Sequence, residues 1–265
     1  MGIKIAVAGK GGVGKTTIVG TLARVLAQDG AKVLAVDADP ASHLHVVLEV
    51  SDDRVPPPIS SELDLIEERT GARPGTSTGP FFRLTPKVDD IPDKYCAIGA
   101  DGVRLIVLGE IRAPGSGCFC PENALLRSLL EHVVLERDEA VVIDMEAGLE
   151  QFGRATCRGV DVLIVVIEPG VRSIDTASRI VRLATEMGVP RISIVANRTR
   201  SQDEKSAILS ATSSKGLGQV YFLPFSEGVR VADLRGISPF KLEESAEWVA
   251  AVRQLSLAIS RGVSR

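Results

Sequence analysis

No run of apolar residues in this 265-residue chain approaches the ~18 that a membrane-spanning helix requires, which excludes a helical span. Cysteine is scarce as well: four in a chain of this length cannot form the dense disulfide framework of a small secreted domain. They read instead as free thiols or ligands in a reducing compartment. No run of five or more basic residues occurs, and 31 Lys plus Arg against 34 Asp plus Glu leave a formal charge of -3. That balance is a poor electrostatic footprint for coating a duplex, so no nucleic-acid partner is expected. The opening Met1-Gly2-Ile3-Lys4-Ile5 lacks the charged region and long apolar stretch of a secretory leader. Gly2 invites an acylation pattern, but Ala6 stands where Ser or Thr is wanted. Internal repeats and low-complexity tracts are also missing. The expectation is a cytoplasmic protein with no membrane partner.

What is present is ordinary globular material, 45% hydrophobic and 25% charged, long enough to close a core without disulfides. Short apolar runs at Ile3 to Ala8, Val33 to Val36, Val103 to Leu108, Val141 to Ile143, Val162 to Ile167, Ile192 to Ala196 and Val220 to Leu223 read as buried strands. Helical periodicity separates them. Ile18, Leu22, Val25 and Leu26 make one stripe that stops at Gly30, and Trp248, Val252, Leu255 and Ile259 make another. Ser173 is placed to cap a helix that ends at Gly188-Val189-Pro190. Such alternation predicts an α/β fold, a doubly wound and mostly parallel sheet with helices on both faces, as one domain over residues 1–265. From about 50 to 101 the pattern dissolves into Pro56-Pro57-Pro58 and Gly75-Thr76-Ser77-Thr78-Gly79-Pro80, an elaborated segment too long for a simple connection.

The first strand runs into Gly9-Lys10-Gly11-Gly12-Val13-Gly14-Lys15-Thr16-Thr17, which fits the phosphate-cradling pattern G-x-x-x-x-G-K-[ST] between a strand and a helix. Glycines let successive backbone N–H groups turn inward where a side chain would collide, and the helix adds its positive dipole end. Lys15 is expected to reach the β- and γ-phosphates, and the Thr16 hydroxyl to occupy one Mg²⁺ position.

Lys10 narrows the class. The string G-K-G-G-V-G-K-T-T resembles the deviant Walker A loop of the nitrogenase iron protein and MinD/ParA superfamily of dimeric ATPases. The resemblance implies a P-loop NTPase fold, ATP/ADP with Mg²⁺ as ligands, and a homodimer in which Lys10 crosses to the partner's nucleotide. It makes Asp39, in Asp37-Ala38-Asp39-Pro40, the residue that positions the attacking water, and Asp144 the Walker B carboxylate that holds Mg²⁺. Met145-Glu146-Ala147-Gly148 resembles switch II, with Gly148 sensing the γ-phosphate. Asn197 and Arg198 stand where the family reads adenine, and Pro224 and Phe225 where backbone contacts the base. Asp37 is either a second Mg²⁺ contact or, as favoured, a strand-end residue satisfied by its loop. Glu146 is either a base or, as favoured, a switch residue in ion pairs.

The stretch Gly117-Cys118-Phe119-Cys120-Pro121-Glu122-Asn123 carries a second chemistry. Pro121 suits the first turn of a helix, which puts Cys120 near its positive end, where thiolate is favoured. Two thiolates one residue apart are strong ligands for Zn²⁺, Ni²⁺ or Cu⁺, but a pair leaves a four-coordinate site half built. A two-fold axis would supply Cys118 and Cys120 of a second chain. Cys-x-Cys on this scaffold resembles the CooC-type maturation ATPases of carbon monoxide dehydrogenase, as does the run through Ala124-Leu125-Leu126-Arg127. That resemblance implies ATP-dependent nickel insertion, with Ni²⁺ or Zn²⁺ held between protomers and carbon monoxide dehydrogenase as partner. Acetyl-CoA synthase maturation ATPases are similar, so the client stays open.

Two further classes remain beside it. A reductase like the nitrogenase iron protein would need a second cluster cysteine where Gln151 stands. A positioning ATPase of the MinD or ParA kind would need a membrane helix or a basic run, and the last helix is acidic at Glu243, Glu244 and Glu247. Cys96 reads as a half-buried strand residue and Cys157 as helix packing. His43 and His45 read as helical neighbours pointing apart rather than as metal ligands. The two P-loop lysines separate by experiment. Lys15→Ala should abolish nucleotide binding in a calorimetric titration. Lys10→Ala should keep binding but lose hydrolysis, because a trans cation can be worth ~10³–10⁵ in rate.

Overall fold

Valine, isoleucine and alanine crowd the seven apolar runs, and branched side chains fit the pleat of a strand covered on both faces. The computed structural model describes residues 2–39, 43–74, 82–109, 121–145 and 154–261. Among them are β1 (Lys4–Gly9), β2 (Val33–Ala38), β3 (Ala97–Ile98), β4 (Arg104–Val107), β5 (Ala140–Met145), β6 (Val162–Ile167), β7 (Ile192–Thr199) and β8 (Val220–Pro224). They form one sheet in the order β3-β4-β2-β5-β1-β6-β7-β8. Every pairing is parallel except β3 with β4. The doubly wound α/β expectation holds.

Ten α-helices lie among the described residues: α1 (Lys15–Gln28), α2 (Leu44–Val47), α3 (Leu63–Thr70), α4 (Ile91–Lys94), α5 (Pro121–Leu135), α6 (Arg154–Gly159), α7 (Val171–Met187), α8 (Gln202–Ser214), α9 (Glu227–Arg235) and α10 (Ala246–Ser260). The period of two along β1 divides them between two cores. Ile5 and Val7 face α1, α2 and α10, where Ile18, Leu22, Leu44, Trp248 and Val252 are buried. Ala6 and Ala8 face α3, α5, α6, α7 and α8, where Ile66, Leu126, Leu129, Cys157 and Ile180 are buried. None of the described helices is long and apolar enough to cross a membrane.

Some local expectations shift. α7 starts at Val171 with Gly170 before it, so Ser173 lies inside the first turn rather than at the cap. Its hydroxyl accepts from the Glu168 N–H at 3.1 Å and ties the helix back to the end of β6. Gly75 to Pro80 lie outside the described residues, but the described parts of the 50–101 segment hold more regular structure than its composition suggested. It carries α3, α4 and β3, and it sends Ile59, Leu65, Ile66, Val88 and Ile91 into the core. Each of these elements is short and buries only one or two large side chains, too few for periodicity to register. α8 escaped notice for a related reason: only Ile208 and Thr212 are buried along it. Cys96 is half-buried as expected but precedes β3 rather than lying in it.

α1 and α2 approach closely at Gly20, where a Cβ would fall 2.5 Å from Cγ1 of Val47. Gly20→Val should therefore overpack this contact and lower unfolding stability by about 1–3 kcal/mol in urea titration, despite valine's better helix propensity.

Candidate functional site

The site is built where the strands end. The parallel register sets Val7 level with Asp144, and Asp37 level with the same residue from the other side. Two carboxylates therefore stand side by side beneath the loop that leaves β1. Gly9 closes that strand with φ 150°, and a Cβ there would lie 2.5 Å from the Val166 carbonyl oxygen on β6. Only glycine lets the loop turn this close to its neighbour.

The loop is held from behind. Val13 is fully buried, and its carbonyl accepts a hydrogen bond from Nδ2 of Asn197 at 2.9 Å. Gly14, with φ 93°, precedes α1 and offers no capping side chain, and no acidic residue occupies the first turn. The leading N–H groups of a 14-residue helix thus face a cleft with the helix dipole behind them, an arrangement that suits phosphate.

Side chains complete the charge pattern. Lys15 is 6% exposed, and its Nζ lies 3.8 Å from Oδ2 of Asp39. The Thr16 hydroxyl donates to Oδ2 of Asp144 at 2.6 Å, and Asp144 is fully buried. Asp37 is also buried, and its Oδ1 accepts from the Asp39 N–H at 3.3 Å, the loop satisfaction favoured from sequence. A threonine hydroxyl beside a buried carboxylate is an all-oxygen donor set, which fits a hard cation such as Mg²⁺. Lys10 is exposed and is not among the residues lining the cleft of its own chain.

The cleft has a volume of about 990 Å³ and runs from Gly11, Gly12, Gly14, Lys15, Thr16 and Thr17 to Pro224 and Phe225 at the far end. Asn197 and Arg198 line it too. Arg198 adopts φ 59° at an irregularity in the pairing of β7 with β8, and its guanidinium lies 3.4 Å from Glu168. Sequence reading missed several lining residues. The guanidinium of Arg200 lies 4.2 Å from the centre of the Phe225 ring, and Val229 and Asp233 of α9 close one wall. Trp248, read only as an apolar position, lines the cleft and donates from Nε1 to Oδ1 of Asn197 at 3.3 Å. A lone tryptophan at helical spacing carries no signal that separates such a role from packing.

Cys118, Cys120, Glu146, Gly148 and Gln151 lie outside the described residues. Among the described residues, no group of three or more His, Cys, Asp or Glu is arranged to hold a metal. Cys157 is fully buried, and burial pushes its thiol up to about 11, so it remains protonated near neutral pH. His43 precedes α2 rather than lying on it. Its ring centre is 5.8 Å from that of His45, whose Nε2 sits 3.4 Å from Asp52.

The model of the CobQ/CobB/MinD/ParA nucleotide binding domain matches residues 4–240. The carbon monoxide dehydrogenase accessory protein CooC of Rhodospirillum rubrum is 46% identical over 242 residues, spanning 91% of this chain and 90% of that one. The chain belongs to the CooC-type branch of the MinD/ParA family. It is accordingly a nucleotide-binding ATPase, with ATP or ADP and Mg²⁺ as its ligands. An uncharacterized ATP-binding protein of Methanocaldococcus jannaschii is 42% identical over 92% of this chain and 93% of its own. The fold matches the MinD cell division protein of Aquifex aeolicus, with a TM-score of 0.69 at 20% identity, over 100% of this chain and 99% of that one.

The Lys15–Asp39 pair yields a prediction. Asp39 sits against the lysine that phosphate would engage, so its charge opposes phosphate while its oxygens can orient water. Asp39→Asn should bind Mg·ATP as tightly as the parent or more so, yet hydrolyse it slowly, because a water-orienting group acts in the transition state. Weakened binding with unchanged turnover, measured by equilibrium titration and phosphate release, would assign Asp39 a structural role.

Proposed function

We propose that this protein is an ATP-driven metallochaperone of the cytoplasm, working as a homodimer that delivers nickel to carbon monoxide dehydrogenase. The observation that carries the reading is the 46% identity to CooC along nearly the whole of both chains, together with Cys118-Phe119-Cys120 in this sequence. Cysteine chemistry supports it. Cys157 is a poor ligand because its buried thiol resists ionisation, whereas Cys118 and Cys120 directly precede α5, which begins at Pro121. A thiolate pair from each protomer makes a four-sulfur set suited to Ni²⁺ or Zn²⁺ as cargo.

In the ATPase cycle, Gly11 to Gly14 and the start of α1 would hold the phosphates. Lys15 would neutralise the β- and γ-phosphate charge, Thr16 and Asp144 would hold Mg²⁺, and Asp39 would orient water in line with the γ-phosphate. Mg²⁺ supplies charge stabilisation on the phosphate oxygens. Lys10, exposed on the loop, would serve the partner's nucleotide, and Asn197, Arg198, Pro224 and Phe225 would receive the base. Gly148 would report the γ-phosphate toward the cysteines through switch II, so that hydrolysis alters the grip on the metal.

Metal stoichiometry tests the proposal. Titration with Ni²⁺ or Zn²⁺ should saturate at one metal per two chains, with Zn–S distances of about 2.3 Å by X-ray absorption. Cys118→Ser or Cys120→Ser should remove the metal and spare nucleotide affinity. Binding should weaken as pH falls, since each sulfur must be deprotonated to ligate. One metal per chain, or metal retained by the double serine variant, would overturn the shared site. A brown protein with iron and sulfide would instead favour the reductase class.

A further inference from the structure

Arg24 lies in the middle of α1, only 7% exposed, and no part of the nucleotide chemistry above uses it. Its buried guanidinium is the centre of a cluster that reaches the surface at Glu49 and Asp101. Nε donates to Oδ2 of Asp101 at 2.6 Å, and Nη1 donates to Oε1 of Glu49 at 2.6 Å and to the hydroxyl of the fully buried Ser238 at 2.9 Å. The Val47 carbonyl at the end of α2 lies 3.4 Å from Nη1, and the ring of Phe240 stacks 3.9 Å from Cζ.

Two of these partners are held in unusual backbone states. Glu49 has φ 56° and Asp101 has φ 57°, and the only other non-glycine residue with positive φ among those described is Arg198. Left-handed backbone at a non-glycine residue is costly and persists where the surroundings over-determine it. Here both residues adopt it while delivering a carboxylate to the same guanidinium. They also bracket the elaborated segment, one residue ahead of Val50 and at Asp101 itself. Backbone contacts join the same two ends: the Ala100 N–H donates to the Leu48 carbonyl at 2.7 Å, and a Cβ on Gly99 would fall 2.5 Å from that oxygen.

What Arg24 grips also borders the cleft. His43, Val46 and Val47 line it beside Asp39, and so do Ile237 and Pro239 on either side of Ser238. We infer that Arg24 is a positioning residue for ATP hydrolysis: it fixes α2, whose Val46 and Val47 share the cleft wall with Asp39, against the helix that begins at Lys15, and it ties both ends of the 50–101 segment to that geometry. A buried arginine with several donors suits the task, since its planar fork satisfies several groups at once while lysine offers a single point charge. The inference rests on the ATPase activity and the proposed roles of Lys15 and Asp39 in it, and does not depend on the metal cargo.

Asp101→Asn and Glu49→Gln keep size and most hydrogen-bonding capacity while removing one charge each, and asparagine tolerates the left-handed backbone. Arg24→Lys removes the fork and keeps the charge. Steady-state hydrolysis of ATP should show kcat reduced roughly ten- to hundred-fold for Arg24→Lys, the scale of a small misplacement of reacting groups. KM and the calorimetric affinity for ATP should stay within about twofold, because the phosphate cradle is untouched. Asp101→Asn and Glu49→Gln should show smaller losses of kcat that do not add to the loss in Arg24→Lys. Should Arg24→Lys fail to fold, the two carboxamide variants and their double combination carry the same test. Parental kcat in variants with lowered Tm would overturn the proposal in favour of a purely structural cluster. So would kcat and KM changing together, or fully additive losses.

Discussion

Parallel pairing of β1 with β5 along one edge and with β6 along the other places Gly9 at the floor of a crevice, because the chain crosses to the opposite side of the sheet between β5 and β6. Ligands of open α/β sheets collect where the strand order reverses in this way, outside the carboxyl ends of the strands. Everything the site uses follows from that crossing. β2 and β5 bring Asp37 and Asp144 level, β7 brings Asn197 behind the loop, and β8 brings Pro224 and Phe225 to the far wall. A slip of one residue in any pairing would turn these side chains to the other face of the sheet.

The loop between β1 and α1 then has to be rigid without filling its own concavity. Buried Val13 anchors it below, and the Asn197 amide joins its carbonyl to the Trp248 indole on α10. The last helix is therefore more than a cover for the sheet. It fixes the amide that fixes the loop, so α10 takes part in shaping a cleft that is also lined by Gly11 to Thr17 near the start of the chain. Electrostatics follow the same economy. Lys15 and Asp144 are both nearly or fully buried, which is costly for charged groups unless a partner is close, and each has one in Asp39 and Thr16.

The 50–101 segment shows how an insertion joins such a machine without disturbing it. Ile59, Leu65, Ile66 and Ile91 seat it on the core shared with α5, while its two ends meet at Arg24 on the opposite layer. The insertion is thus anchored in both helical layers. Closing a connection of this length costs only slightly more entropy than closing a short one, because the cost grows with the logarithm of length.

Much of this was legible in the chain alone. Seven of the eight strands, α1, the proline start of α5, α7 with its glycine stop and the buried face of α10 all follow from periodicity and turn chemistry within a few neighbouring residues. The turn between β1 and α1 was legible for the same reason, since its glycines, Lys15 and Thr16 lie within a few residues of one another. Only the tertiary structure decided which distant groups meet: Thr16 with Asp144 across 128 positions, Trp248 with Asn197, and Arg24 with Glu49, Asp101 and Ser238. It also decided that the described parts of the 50–101 segment are built from short helices and an antiparallel strand. Those facts depend on packing between elements that are too short or too far apart to leave a periodic trace. Local propensity is written along the chain, whereas the pairing of buried charges and amides is settled only when the sheet closes around them.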